Sequence, residues 1–131
     1  MTTPVDIVRS FYDALNRGDF PAALLLLDAE IEWIEAERFP YYSGTWRGPQ
    51  AVRDNLFARL KNDWEEFSAK AHDFIAEGDR VVSLGTYSGT FKKTKRFFSV
   101  AFAHVWTVRS EKLVKFNMHT DTAKILEALK T

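Results

Sequence analysis

The chain contains no cysteine, which removes disulfides, thiolate nucleophiles and cysteine metal sites together. A reducing compartment suits such a chain, and the cytoplasm is the expected location. Neither sign of charge dominates. Eighteen Lys and Arg offset 18 Asp and Glu, so the electrostatic footprint of a nucleic-acid binder is missing and no such partner is expected. The densest basic group, Lys92, Lys93, Lys95 and Arg96, falls between two strand-like runs and reads as a solvated hairpin tip. No apolar run approaches the ~20 residues of a bilayer crossing, and the first six residues lack the basic start and apolar centre of a secretory leader. No membrane partner is expected. The three histidines are scattered, with no HxxxH or HxH spacing, so no metal site is expected. A Gly-rich phosphate loop and a nucleophile elbow are also missing, and no cofactor is expected.

Aromatic side chains, by contrast, are plentiful. They make up 15% of the chain, with 11 Phe and 4 Trp, more than a minimal core of this size needs, and they bring large apolar area on few rotamers. An aromatic-lined cavity or an aromatic subunit interface is expected. At 131 residues the chain reads as a single domain, burying roughly two-thirds of its unfolded surface.

Thr3 can cap a helix that begins at Pro4 and carries Asp6 at its third position, with Ile7, Val8, Phe11, Ala14 and Leu15 turned inward. Gly18 stops it, and Asp19 caps a shorter helix through Leu27. Residues 31–36 alternate as a strand that puts Ile31, Trp33 and Glu35 on one face. Residues 37–48 read as a loop or lid. Gly48 and Pro49 open a third helix in which Val52, Leu56, Phe57 and Leu60 recur at helical spacing, ending near Trp64. Strands follow over 67–77, 80–91, 97–109 and 112–119, the first pair joined at Gly78 and Asp79, and a last helix runs over 122–129. This order predicts an α+β fold with a strongly curved antiparallel sheet packed on three to four helices.

Several residues have the chemistry for a site. Glu35 shares a strand face with Trp33, and desolvation beside an indole would raise its pKa toward that of a useful base; the alternative is a rim carboxylate paired with Arg38. In the last strand Asn117, His119 and Asp121 share one face and Phe116, Met118 and Thr120 the other. His119 has the best intrinsic pKa for proton transfer near neutrality. Asp121 is either an acid or base in a pocket or the cap of the final helix. Tyr87 shares a face with Ser83 and Gly85, so its hydroxyl is either an oxyanion donor or the tip of a core tyrosine. His104, between Phe102 and Trp106 on one strand face, reads as part of a buried or interfacial cluster rather than as catalytic. The alternation of Phe98, Val100, Phe102 and Trp106 predicts a homodimer built on the outer face of the sheet.

The stretches 11–19 (FYDALNRGD), 44–53 (GTWRGPQAVR), 77–82 (EGDRVV) and 119–123 (HTDTA) together resemble the nuclear transport factor 2-like superfamily, nearest its SnoaL-like, ketosteroid-isomerase-related branch. The resemblance spans essentially the whole chain and rests on the succession of elements. It implies a conical barrel enclosing an apolar pocket, a dimer, and a superfamily of isomerases, cyclases, dehydratases, epoxide hydrolases and non-catalytic binding modules. By an ungapped match the isomerase's base falls on Glu35, whereas its oxyanion donors fall on Phe11 and Ala103, which have no proton to give. Steroid isomerisation by that route is therefore not expected, and an enzyme of this kind would need Tyr87 or a donor from the outer loop to hold the oxyanion. The match turns Phe116, Met118 and Thr120 toward the pocket, and a longer loop offers Arg38, Tyr41, Tyr42 and Trp46 to its mouth. The candidates are thus Glu35, Tyr87, Asp121 and His119 for catalysis, and Phe11, Trp33, Arg38, Trp46, Asn55, Phe116 and Met118 for substrate binding. The expected function is a cofactor-free isomerase, cyclase or dehydratase moving a proton on a small apolar carbonyl compound. The alternatives are a non-catalytic module for a lipophilic ligand and a dimeric interaction domain.

Overall fold

A computed structural model describes residues 2–41 and 44–131, so Tyr42 lies outside the described residues. Helix α1 (Pro4–Asn16) begins in a full capping box: Thr3 accepts from the Asp6 amide while the Asp6 carboxylate takes the Thr3 amide. It buries Ile7, Val8, Phe11, Tyr12 and Ala14. After Gly18, in the left-handed region at φ 78°, Asp19 caps α2 (Phe20–Leu25). That helix ends two residues before the expected Leu27 because Leu27 already pairs with Leu113 as the first residue of strand β1 (Leu27–Ile34). Asp28, Ala29 and Glu30, none of them buried, hide the start of this strand from a search for alternation.

Strand β2 (Thr45–Arg47), read from sequence as loop, pairs antiparallel with β1; three residues are too few to display a period. The next helical segment comprises α3 (Pro49–Val52), a π-helical stretch (Arg53–Phe57) and α4 (Ala58–Asp63). The wider π turn lets the consecutive Leu56 and Phe57 both point inward. Strands β3 (Trp64–Glu77), β4 (Arg80–Phe91), β5 (Phe97–Arg109) and β6 (Lys112–Thr120) follow, then α5 (Thr122–Ala128). Among the described residues six strands form one unclosed sheet in the order β2-β1-β6-β5-β4-β3, in which only β1 and β6 run parallel.

Strand β3 carries irregularities between Glu65 and Ser68 and between Ala71 and Asp73, where the ladder bends. Gly85 faces Phe102 across the β4–β5 ladder, and a Cβ there would sit 2.5 Å from the Phe102 Cζ and closer still to the Lys70 carbonyl oxygen. The sheet curves over a position that only glycine fits. Gly85→Ala should therefore lower unfolding free energy by about 1–3 kcal/mol in urea titration, as overpacked cores do. An unchanged midpoint would show that the ladder opens freely at this point.

In β5 the side chains of Phe98, Val100, Phe102, His104, Trp106 and Val108 are buried inside the protomer. The expected dimer surface made of Phe98, Val100, Phe102 and Trp106 is thus corrected: these residues face the helices, and the outer face of β5 carries Ser99, Ala101, Ala103 and Val105. Strand parity placed the four together, but parity alone does not say which face is covered.

Candidate functional site

A cavity of about 160 Å³ lies between α1, the π-helical stretch and the concave face of the sheet, walled by Phe11, Trp33, Phe57, Phe116 and Met118 among others. This volume is close to the ~150 Å³ of an engineered apolar cavity that admits benzene. Half-buried Leu15, Phe20, Leu60 and Phe67, with exposed Lys61, complete its outer wall. Stacking fixes the inner wall: Trp33 lies on Phe116 with ring centroids 3.9 Å apart, and Phe102 lies on His104 at 4.0 Å.

The polar groups deep in this lining are Tyr12, Tyr87 and His104. The Tyr12 hydroxyl is 2.5 Å from His104 Nδ1, and the Tyr87 hydroxyl bonds His104 Nε2. Behind them, the Tyr12 hydroxyl meets Ser83 Oγ at 2.5 Å, and the Trp106 Nε1–H donates to Ser83 Oγ at 3.1 Å and toward the Tyr12 hydroxyl at 3.3 Å. Burial holds the His104 imidazole well below its usual pKa, with His119 adding a smaller push in the same direction. Burial raises both tyrosines, and for Tyr87 the Glu35 and Tyr12 charges add to it. At neutral pH the cluster is therefore an uncharged imidazole between two intact phenols.

Glu35 is 2% exposed, and Trp33 Nε1–H donates to its Oε1 at 3.1 Å while Oε2 has no partner among the described residues. Burial pushes its pKa up to about 8, against the smaller downward effect of the Trp33 bond. Near about pH 7 the group is mostly protonated, and because Oε1 receives the indole N–H, Oε2 is the oxygen that carries the proton. The strand expected through residue 36 ends at Ile34, so Glu35 lies just past it; Glu35 reaches the Trp33 indole but is absent from the residues that line the cavity. The Trp33 indole that binds the carboxylate forms the wall instead.

Of the other candidates, Phe11, Trp33, Tyr87, Phe116 and Met118 line the cavity. The structure does not bring the remaining ones there. Arg38 is exposed, in the left-handed region at φ 69°, and its neighbour Phe39 lines the cavity in its place. Trp46 is buried at 7% exposure opposite Trp33 in the β1–β2 ladder, but outside the lining. Asn55 is exposed on the π-helical stretch, whose inward positions are Leu56 and Phe57. His119 is exposed on the outer face, opposite Ala103. Asp121 caps α5, its carboxylate accepting from the Lys124 amide at 3.2 Å. Asp121→Ala should cost about 1 kcal/mol of stability and leave ligand affinity unchanged, as calorimetry on the variant would check. Sequence reasoning missed Tyr12, which follows Val8 by four positions and so falls on the buried stripe of α1. It also missed the link from Tyr12 to His104, for which no local signal exists.

A cone-like α+β protein whose curved sheet and helices enclose an apolar cavity of small-molecule size is the class that fold and site define. The chain belongs to the SnoaL-like domain family, whose sequence model matches residues 8–116. An NTF2-like protein from Burkholderia thailandensis is 36% identical over 100% of both chains, with a TM-score of 0.95. An NTF2-like protein of unknown function from Burkholderia pseudomallei is 27% identical over 100% of both, with a TM-score of 0.90. TerC, co-crystallised with polyporic acid, is 22% identical over 98% of this chain and 100% of its own, with a TM-score of 0.87, and shares the fold. Among curated proteins no match is found.

Proposed function

We propose that the protein binds a small, single-ring carbonyl compound and moves a proton on the carbon next to the carbonyl, as a cofactor-free isomerase, cyclase or dehydratase does. The observation that carries this reading is the uncharged Tyr12–His104–Tyr87 cluster set in an otherwise apolar cavity. Hydroxyl donors held rigidly in a dry site stabilise an oxygen that gains negative charge. In the proposed step the ionised Glu35 takes a proton from the carbon, the C–H electron pair moves into the carbonyl, and the enolate oxygen is held by Tyr87. Return of the proton at another carbon completes an isomerisation. A pKa of about 8 suits a base working near neutrality, and the step requires the Glu35 carboxylate to leave the Trp33 indole and reach the cavity, whose lining does not include it. That TerC, of the same fold, was co-crystallised with polyporic acid supports a small organic ligand.

The test is exchange of the acidic C–H protons of cyclohex-2-enone in deuterated buffer, followed by NMR with and without the protein. Exchange well above the buffer rate supports the reading. Binding without exchange would support the second reading, a lipophilic binding module, which the placement of Glu35 outside the lining favours. The homodimer is also part of the proposal, now on a different surface: exposed Ile75 and Leu84, with Val82, Ala103 and Val105, form an apolar stripe on the outer face. Sedimentation should give a dimer that Leu84→Asp converts to monomer, and a monomeric wild-type protein would remove this part.

A further inference from the structure

The hydrogen bonds behind the cavity have a direction, and it follows from counting protons. Trp106 Nε1 only donates, Ser83, Tyr12 and Tyr87 have one proton each, and a neutral imidazole has one N–H for its two nitrogens. Two arrangements satisfy both bonds to His104. In the first, Trp106 donates to Ser83, Ser83 to Tyr12, Tyr12 to Nδ1, and Nε2–H to the Tyr87 oxygen, which leaves the Tyr87 proton uncommitted. In the second, Tyr87 donates to Nε2 and Nδ1–H to Tyr12, which leaves one buried proton without an acceptor: that of Ser83 if Tyr12 donates to it, or that of Tyr12 if Ser83 is the donor. Ser83 is 0% exposed, and among the described residues its hydroxyl bonds only Tyr12 and Trp106. A buried orphan donor is costly, whereas Tyr87 borders a cavity that a ligand can fill.

We infer that the cluster is a one-way hydrogen-bond chain running from Trp106 to Tyr87, that His104 is held as its Nε2–H tautomer, and that the pocket selects ligands offering an acceptor oxygen to the Tyr87 proton. The ligand class is a carbonyl, or the enolate or phenolate anion related to it. This inference rests on the proposed binding of a carbonyl compound and names the atom that is recognised. Each link polarises the next, so the terminal hydroxyl is a stronger donor than an isolated phenol. Ser83 and Trp106 touch no ligand and act as positioning residues for Tyr87 through Tyr12 and His104.

Two measurements test it without turnover. Nitrogen-15 spectra of the histidine-labelled, ligand-free protein should show His104 protonated at Nε2 with Nδ1 as acceptor, and protonation at Nδ1 overturns the inference. The second uses 4-nitrophenol, whose visible absorption reports its ionisation. Wild-type protein should favour the bound phenolate about tenfold or more over Tyr87→Phe, the scale of a hydrogen bond to a charged oxygen. Ser83→Ala should reduce that preference, which a purely packing role for Ser83 would leave unmoved. In the reversed chain Tyr87 offers only a lone pair, so the wild type would favour the neutral phenol, and that sign also overturns the inference. If cyclohexenone exchange fails while both results hold, the proton-transfer reading falls and this one stands.

Discussion

Glu35→Gln should make the protein more stable at neutral pH and nearly abolish the pH dependence of stability between about pH 4.5 and 8. The folded state raises this carboxyl from its ordinary 4.5 to about 8 because burial disfavours the anion. A raised carboxyl pKa means that the folded protein holds a proton which the unfolded chain releases above about pH 4.5. The contribution to stability is therefore fully present below that value and is lost as pH rises through the folded pKa. At ~1.4 kcal/mol per unit the loss is on the order of 3 kcal/mol by pH 7 and 4 kcal/mol or more above pH 8. The amide keeps an oxygen for the Trp33 N–H and never ionises. Urea unfolding at pH 5 and pH 8 checks this: wild type and variant should match at the lower pH and diverge at the higher. Parallel curves, or a variant weaker at pH 8, would mean that the carboxylate has a compensating cation in solution.

Tyr87→Phe should slow proton exchange on cyclohex-2-enone by about 10²–10³-fold, the loss seen when one preorganised oxyanion donor is removed. The ring stays, with its packing on Phe102 at 4.5 Å between centroids and on Phe67 at 5.6 Å, so ground-state binding should change far less than turnover. Among the described residues the hydroxyl bonds only His104, and its removal leaves the Nε2–H facing the cavity. A drop in the turnover rate with little change in KM is the expected signature. A rise in KM alone would reassign Tyr87 to uniform binding, and equal rates would place the oxyanion elsewhere.

Local rules made much of the fold legible. The capping box of Thr3 and Asp6, the Gly18 stop and the Asp19 cap are each decided within four residues of chain. The long hairpin strands β4 and β5 were readable because alternation over 12 and 13 residues repeats many times. The three-residue β2 and the π-helical stretch were not, since one is too short to show a period and the other breaks it.

At the site, sequence by itself determined that Glu35 shares a face with Trp33, that Tyr87, Phe116 and Met118 turn inward, and that the resemblance is SnoaL-like. Strand parity groups these residues on common faces, and the family match supplies which face is inward. Only the tertiary structure decided that Trp33 lines the cavity and Glu35, bonded to its indole, does not, because parity assigns a face and not a depth. Only packing joined Tyr12 to His104, 92 positions away, and Trp106 to Ser83, 23 away. No local term in the chain relates residues so distant. They meet because the curved sheet brings the buried stripe of α1 down onto β4 and β5, and in that dry interior each polar group had to find another.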